Sequence, residues 1–363
     1  MKYRKHNQFL KKQFDIRLLS EYRNRLFGIA ILSIIVYHGF EDVMQASKEG
    51  LLFSGALMSV TGAYNNLIGS IGVEIFVFLS GMGLYFSMKK NDAVLPFYKR
   101  RGERLLKPYI LSALVYWPVR CAILRDWDIP ALLLNISTLS FWLNGVKNVW
   151  YIAFIAVMYL VYPLIFRLFE QKYALWFPVL LLGSFAAVFL LRHFLPAYYN
   201  LWEIALWRIP VFILGAGTGV LVYRQVKVSW LWIGVLLFIG FGIKAARYFL
   251  RSVSFVQAVP FRLVSILFTP AVLVFLVFLL SLVKWKPLHA VLSWFGGISL
   301  ELYLLHVMCR SLLNCIQAHM TSNLLIYYGM AAVSVLMSWG LFTLLNRKKK
   351  PDKAPPPPVV PVC

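Results

Sequence analysis

The sequence predicts an all-α fold, a polytopic bundle of about ten transmembrane helices, and three observations lead there. Of the 363 residues, 60% are hydrophobic and 14% charged, with a mean hydropathy of +0.72. A soluble domain carries about 25% charged and roughly 45–50% apolar residues, so this much apolar surface cannot be hidden inside one water-soluble globule. The apolar stretches are long enough to cross a ~30 Å hydrocarbon core at 1.5 Å per residue. They do not show the ~10-residue alternating segments of an outer-membrane barrel. Finally, 37 Lys and Arg against 14 Asp and Glu leave a net charge of +23. The excess is placed as cytoplasmic loops place it, so topology rather than nucleic acid accounts for it.

Taken in order, the apolar runs fall at about 26–44, 68–88, 107–124, 149–168 and 174–195. Five more follow at about 203–222, 229–248, 261–283, 289–309 and 322–346. The stretch 130–143 is too short to span and reads as a re-entrant or interfacial piece. With the N-terminus inside, eight Lys and Arg precede residue 26, seven fall in 89–107 and five follow residue 346. Both termini are therefore expected in the cytoplasm. The outward loop 244–262 runs against the bias with four basic residues.

Three regions result: a basic N-terminal segment over 1–25, one membrane domain over 26–346, and a basic, proline-rich tail over 347–363. Residues 1–20 are polar and basic, and no cleavable leader is expected. Cys121, Cys309, Cys315 and Cys363 show no metal-ligand spacing and read as small buried hydrophobes or inert thiols. No metal site is expected.

Ionisable residues within a bilayer are expensive, and each needs a partner or a purpose. His38 lies in the outer third of the first span, and Glu74 at matching depth in the antiparallel second. Arg208 sits near the outer end of the sixth span, Glu301 and His306 in the outer half of the ninth, and Trp150 and Tyr151 at the start of the fourth. An aromatic belt accounts for Trp150 and Tyr151 taken alone, and snorkelling accounts for Arg208. A His, a Glu and an Arg at one depth point further, because an imidazole beside a carboxylate makes a general base near neutral pH. A second constellation runs from Phe97 to Tyr109. Arg100, Arg104 and Lys107 fall at i, i+4 and i+7, one cationic helical face. Contact with anionic lipid head groups explains such a run, and so does a phosphorylated ligand at the membrane surface.

Six blocks in order resemble the membrane-bound acyltransferase-3 family. Leu26 to Ser33 leading to Tyr37-His38 is similar to its first helix, and Gly72-Val73-Glu74 to Ser80-Gly81 to its second. The run from Arg100 to Pro108-Tyr109 resembles its next loop. Trp150 through Tyr159 with Pro163, Arg208-Ile209-Pro210 with Phe212 and Gly215, and Ser299 through Tyr303 to His306 resemble three later blocks. The matches run from about residue 25 to 306. Two positions depart from the family: Phe27 stands where relatives carry an Arg eleven residues before the histidine, and Glu74 stands for their Asp.

The resemblance implies an integral enzyme of the cell membrane that takes an acyl group, usually acetyl, from cytoplasmic acyl-CoA. It passes the group to a hydroxyl on a sugar, a polysaccharide or a lipid-linked glycan. His38 inherits the essential role as general base or transient acyl carrier, oriented by Glu74. Arg208, Ser299 or Tyr303 would support the thioester oxygen, and Arg100, Arg101, Arg104 and Lys107 would hold the phosphates of CoA. Acyl-CoA is then a co-substrate, with no tightly bound cofactor. Some relatives carry an extracytoplasmic hydrolase-like domain; here a separate extracytoplasmic partner, or direct transfer, would complete the reaction. The competing class is a transporter or flippase for a glycan or lipid carrier, which helix number and buried charges suit equally.

Overall fold

A computed structural model describes residues 13–69, 71–250, 252–254, 261–316 and 323–347. Residues 1–12 of the basic N-terminal segment, part of the loop 244–262 expected to face outward, and nearly all of the tail, Cys363 included, lie outside them.

Apolar sequence with few polar backbone partners must satisfy its own amides, and the chain does so almost wholly as helix. Among the described residues two short strands are the exception: β1 (Gln13–Asp15) pairs antiparallel with β2 (Lys227–Ser229), tying the N-terminal segment to a connection between two helices. Phe14 lies buried there, edge-on to Trp230 at 5.6 Å. Arg17 holds the Asp15 carboxyl below its ordinary range. Nothing in the periodicity of residues 13–15 announces this strand.

The short α1 (Leu18–Glu21) precedes α2 (Arg23–Lys48), which carries His38. Then come α3 (Gly55–Leu67) and α4 (Ile71–Lys90), the latter with Glu74 in its first turn. The helix α5 (Val94–Leu124) begins thirteen residues before the expected span and absorbs the whole basic run, so Arg100 to Lys107 sit on a helix rather than in a loop. The stretch expected to be too short to span forms α6 (Ile129–Ile136) and α7 (Leu139–Asn144). A 45-residue helix follows, α8 (Trp150–Phe194), which breaks at Lys172, where φ is −157° and ψ is 83°. At 1.5 Å per residue it would be about 68 Å long if straight, more than twice a hydrocarbon core.

Next are α9 (Pro196–Leu206), α10 (Ile209–Tyr223), α11 (Trp230–Phe249) and α12 (Phe261–Leu282). The chain then forms α13 (Lys286–Gly297), α14 (Ser299–Ile316) and α15 (Leu324–Asn346). The expected straight span over 289–309 is bent by 67° between α13 and α14. The Gly296-Gly297 pair ends α13, and the Ser299 hydroxyl donates to the Gly296 carbonyl at 2.9 Å, taking an acceptor that the break leaves over.

Among the described residues, seven helices are long and apolar enough to cross a membrane, or eight if the α13–α14 pair is one span. The expectation of ten is larger because it divides α8 in two and takes the second half of α5 as a crossing. The most extensive packing joins α4 to α10. Small residues permit it: a Cβ on Gly219 would fall 2.7 Å from the Met82 carbonyl oxygen, and one on Gly215 would collide with the Phe78 carbonyl. Apolar side chains gain nothing by leaving lipid, so close backbone approach of this kind drives helix association in membranes. The contact sets α4 and its Glu74 against the start of α10.

Candidate functional site

The helix α2 presents Arg23, Asn24 and Phe27 on one side, since Phe27 follows the other two at i+4 and i+3. Together with Arg101, Arg104 and Leu105 of α5, and with Gly296, Gly297, Ser299 and Leu300 at the α13–α14 bend, they line a cavity of about 410 Å3. Its inner wall is Phe76, Ser80 and Tyr151, with Ser80 and Tyr151 hydroxyls 3.4 Å apart. A neighbouring cavity of about 340 Å3 is lined by all four cations of the basic run, Arg100, Arg101, Arg104 and Lys107, together with Glu103 and Glu301. Arg101 and Arg104 face both.

Several cations here are braced by backbone and hydroxyl groups. Arg100 donates to the Ser87 and Asn91 carbonyls at 3.3 and 3.4 Å, and Arg101 Nε to the Ser87 hydroxyl at 3.3 Å. Lys107 pairs with Glu103 at 3.4 Å, one turn earlier on α5. Arg23 was not singled out by the sequence as a site residue. Its guanidinium lies 5.1 Å from the Phe27 ring, and its buried Nε has no hydrogen-bond partner among the described residues. The signal that finds it is spacing: Arg23 precedes Phe27 by one helical turn and shares its face.

Deeper in, the polar residues fall into two groups rather than one layer. In the first, Glu74 of α4 pairs with Arg208, Oε1 to Nη2 at 3.4 Å, with side-chain exposures of 1% and 2%. Arg208 lies in the break between α9 and α10, where Nη1 donates to the Ile204 carbonyl at 2.5 Å. The last carbonyls of a helix lack partners and attract a cation, so the break suits an arginine. Its guanidinium also covers the Trp150 ring at 4.6 Å. Glu74 Oε2 and Arg208 Nε keep no hydrogen-bond partner among the described residues. Tyr303 of α14 is buried with its ring 5.2 Å from that of Tyr151, so it packs behind one residue of the cavity wall.

The second group surrounds His38. Its ring stacks on that of His306 from α14, centroids 5.4 Å apart and planes within 7°. One turn farther along each helix, Arg310 pairs with Asp42 through Nε at 2.9–3.0 Å and with Glu41 through Nη2 at 3.0 Å. Tyr37 donates to Glu41 at 3.2 Å. The carboxylate expected to orient His38 is thus engaged elsewhere: Glu74 pairs with Arg208, and the ring beside His38 belongs to His306. Residue counting expects Glu74 level with His38, but the register of the two helices differs: Phe27 faces Phe76 at 5.2 Å and Gly72 lies against Ala30 and Ile34, so Glu74 sits about two turns of α2 before His38. Glu301, expected in the outer layer with His306, instead lines the cavity of the basic run, because α14 starts only at Ser299. Ser299 faces the larger cavity with its proton given to the Gly296 carbonyl.

Comparison with known proteins bears on the whole arrangement. The family model described as an acyltransferase domain, that of the acyltransferase-3 family, matches residues 28–343, most of the chain and every group just described except Arg23, Asn24 and Phe27. No curated protein and no solved structure matches. The chain belongs to the acyltransferase-3 family.

Proposed function

We propose that the chain is a multi-pass acyltransferase of the cell membrane, with both termini cytoplasmic. It would move an acyl group, acetyl by preference, from cytoplasmic acyl-CoA to a hydroxyl of a sugar, polysaccharide or lipid-linked glycan. The observation that carries this reading is the cation-lined cavity, whose walls carry Arg23, Arg101 and Arg104 together with the hydroxyls of Ser80 and Tyr151. Guanidinium groups bind phosphate oxygens in pairs, which suits the nucleotide end of CoA. Arg23 supplies a guanidinium beside the position where relatives carry theirs. Phe27 lines the cavity and His38 follows it by eleven residues, about 16 Å along α2. A slender pantetheine arm reaching past Ser80 and Tyr151 covers such a distance, whereas the nucleotide stays with the arginines.

In the reaction the acceptor hydroxyl attacks the thioester carbonyl, its proton passes to His38, and the C–S bond breaks to release CoA thiolate, which takes a proton back. The oxyanion formed on the way needs donors. Arg208 offers an unpartnered Nε and Tyr303 a phenol, while Ser299 is committed to Gly296 and serves as cavity wall. Glu74 acts through Arg208, holding it charged and in place.

The test is thioester turnover by purified protein given acetyl-CoA and an envelope glycan fraction, with and without His38→Ala. Acyl transfer and CoA release should fall by about 10²–10⁴-fold in the variant, the usual cost of losing a general base. A flippase would release no CoA from either protein, and that result would discard the enzyme reading.

A further inference from the structure

The mechanism just outlined leaves one buried imidazole without a task. His306 is wholly buried, with its ring parallel to that of His38. Its Nε2 lies 3.2 Å from the Tyr327 hydroxyl of α15. That hydroxyl has one proton, and it is donated to the Ile35 carbonyl of α2. Toward His306 it can therefore only accept, so His306 is the neutral tautomer with its hydrogen on Nε2. Nδ1 is left as a lone pair with no partner among the described residues.

Two further features serve the same arrangement. A Cβ on Gly39 would fall 2.7 Å from Tyr327 Cε1, so only glycine lets the phenol lie against α2 beside His38. The ion pair of Arg310 with Asp42 lies four residues beyond the imidazole on each helix. Residues four apart on a helix lie one above the other. A clamp at that step sets the axial register of α2 against α14, and the register brings both rings to one level.

We propose that His306 is the positioning partner of His38: its tautomer is pinned by Tyr327, its level by the Arg310–Asp42 clamp, and its face holds the plane of the His38 ring. The proposal rests on the acyl-transfer reading, in which a lone pair of His38 must meet the acceptor hydroxyl. The terminal torsion of a histidine is broad, so an unsupported ring samples many orientations and few are productive. A parallel ring at stacking distance narrows that range. His306 takes no proton in the reaction: the hydroxyl proton moves to His38 as the O–C bond forms and the C–S bond breaks.

The experiment compares Tyr327→Phe, Gly39→Ala, His306→Gln and His306→Met with wild type and His38→Ala. In detergent, kcat, KM for acetyl-CoA and melting temperature are measured for each. Gln keeps a donor for Tyr327, whereas Met keeps bulk alone. We expect Tyr327→Phe and Gly39→Ala to lower kcat about three- to tenfold, the worth of one hydrogen bond, with KM unchanged. His306→Met should fall further, and Gln should recover part of that loss. Wild-type kcat in Tyr327→Phe and His306→Met, beside an inactive His38→Ala, overturns this proposal alone. Equal losses in Gln and Met that track a falling melting temperature also overturn it, in favour of plain packing. A fully active His38→Ala overturns the catalytic reading of His38 itself. Should His306→Met not accumulate, Tyr327→Phe decides, since it removes a single oxygen.

Discussion

Replacing Glu74 by Gln keeps the shape of the side chain and removes its charge, so it isolates what the carboxylate does for Arg208. The two charges are 3.4 Å apart and almost wholly shielded from solvent, at 1% and 2% exposure. At an effective dielectric of 20, Coulomb's law puts their attraction at about 5 kcal/mol. Breaking a buried pair by deleting one partner costs about 3–5 kcal/mol, because the remaining charge stays buried. The lower half of that range is expected here. Arg208 retains the Ile204 carbonyl and the Trp150 ring, and both stabilise a cation. At roughly 2–4 °C per kcal/mol, Glu74→Gln should melt some 6–15 °C below wild type. Arg208→Gln should cost less, since an orphaned carboxylate can neutralise itself by binding a proton. The double variant should recover most of the loss, giving a coupling above about 1.5 kcal/mol. The assay is thermal unfolding of all four proteins in one detergent, with turnover measured alongside. A double variant as unstable as the sum of its parts would refute the pairing argument. A Glu74→Gln protein that melts normally yet turns over slowly would instead return the carboxylate to His38.

Two predictions concern other parts of the bundle. Replacing Arg23, Arg101 and Arg104 together by Gln should raise KM for acyl-CoA tenfold or more with little change in kcat, as expected when binding equal in ground and transition states is lost; steady-state kinetics against acetyl-CoA concentration checks this, and an unchanged KM would leave the cations to topology. Gly215→Ala should lower the melting temperature by several degrees, because its Cβ meets the Phe78 carbonyl of the facing helix, whereas Gly234→Ala on α11, with open space around it, should melt like wild type.

What the sequence determined by itself is set by one dimension, the distance along the membrane normal. Hydropathy and length dictate that the chain is helical, since unpaired backbone cannot be left in hydrocarbon. They also place the apolar segments, and ordered blocks of residues sufficed to indicate the family. Spacing showed that Arg100, Arg104 and Lys107 share a face, and all three line one cavity. Residue counting expects His38 and Glu74 at a similar depth, but counting fixes neither the register of two antiparallel helices nor which helices are neighbours around the bundle. That was decided by tertiary packing. Glycines let α4 press against α10, which gives Glu74 to Arg208. The bend after Gly297 starts α14 at the cavity, so Glu301 joins the basic run and His306 is carried up to His38. Asp42 and Arg310 each stand four residues beyond an imidazole, a regularity visible in the chain, yet it acquires meaning only when α2 and α14 lie side by side. A helix states which residues share its face, and only the packed bundle states what that face meets.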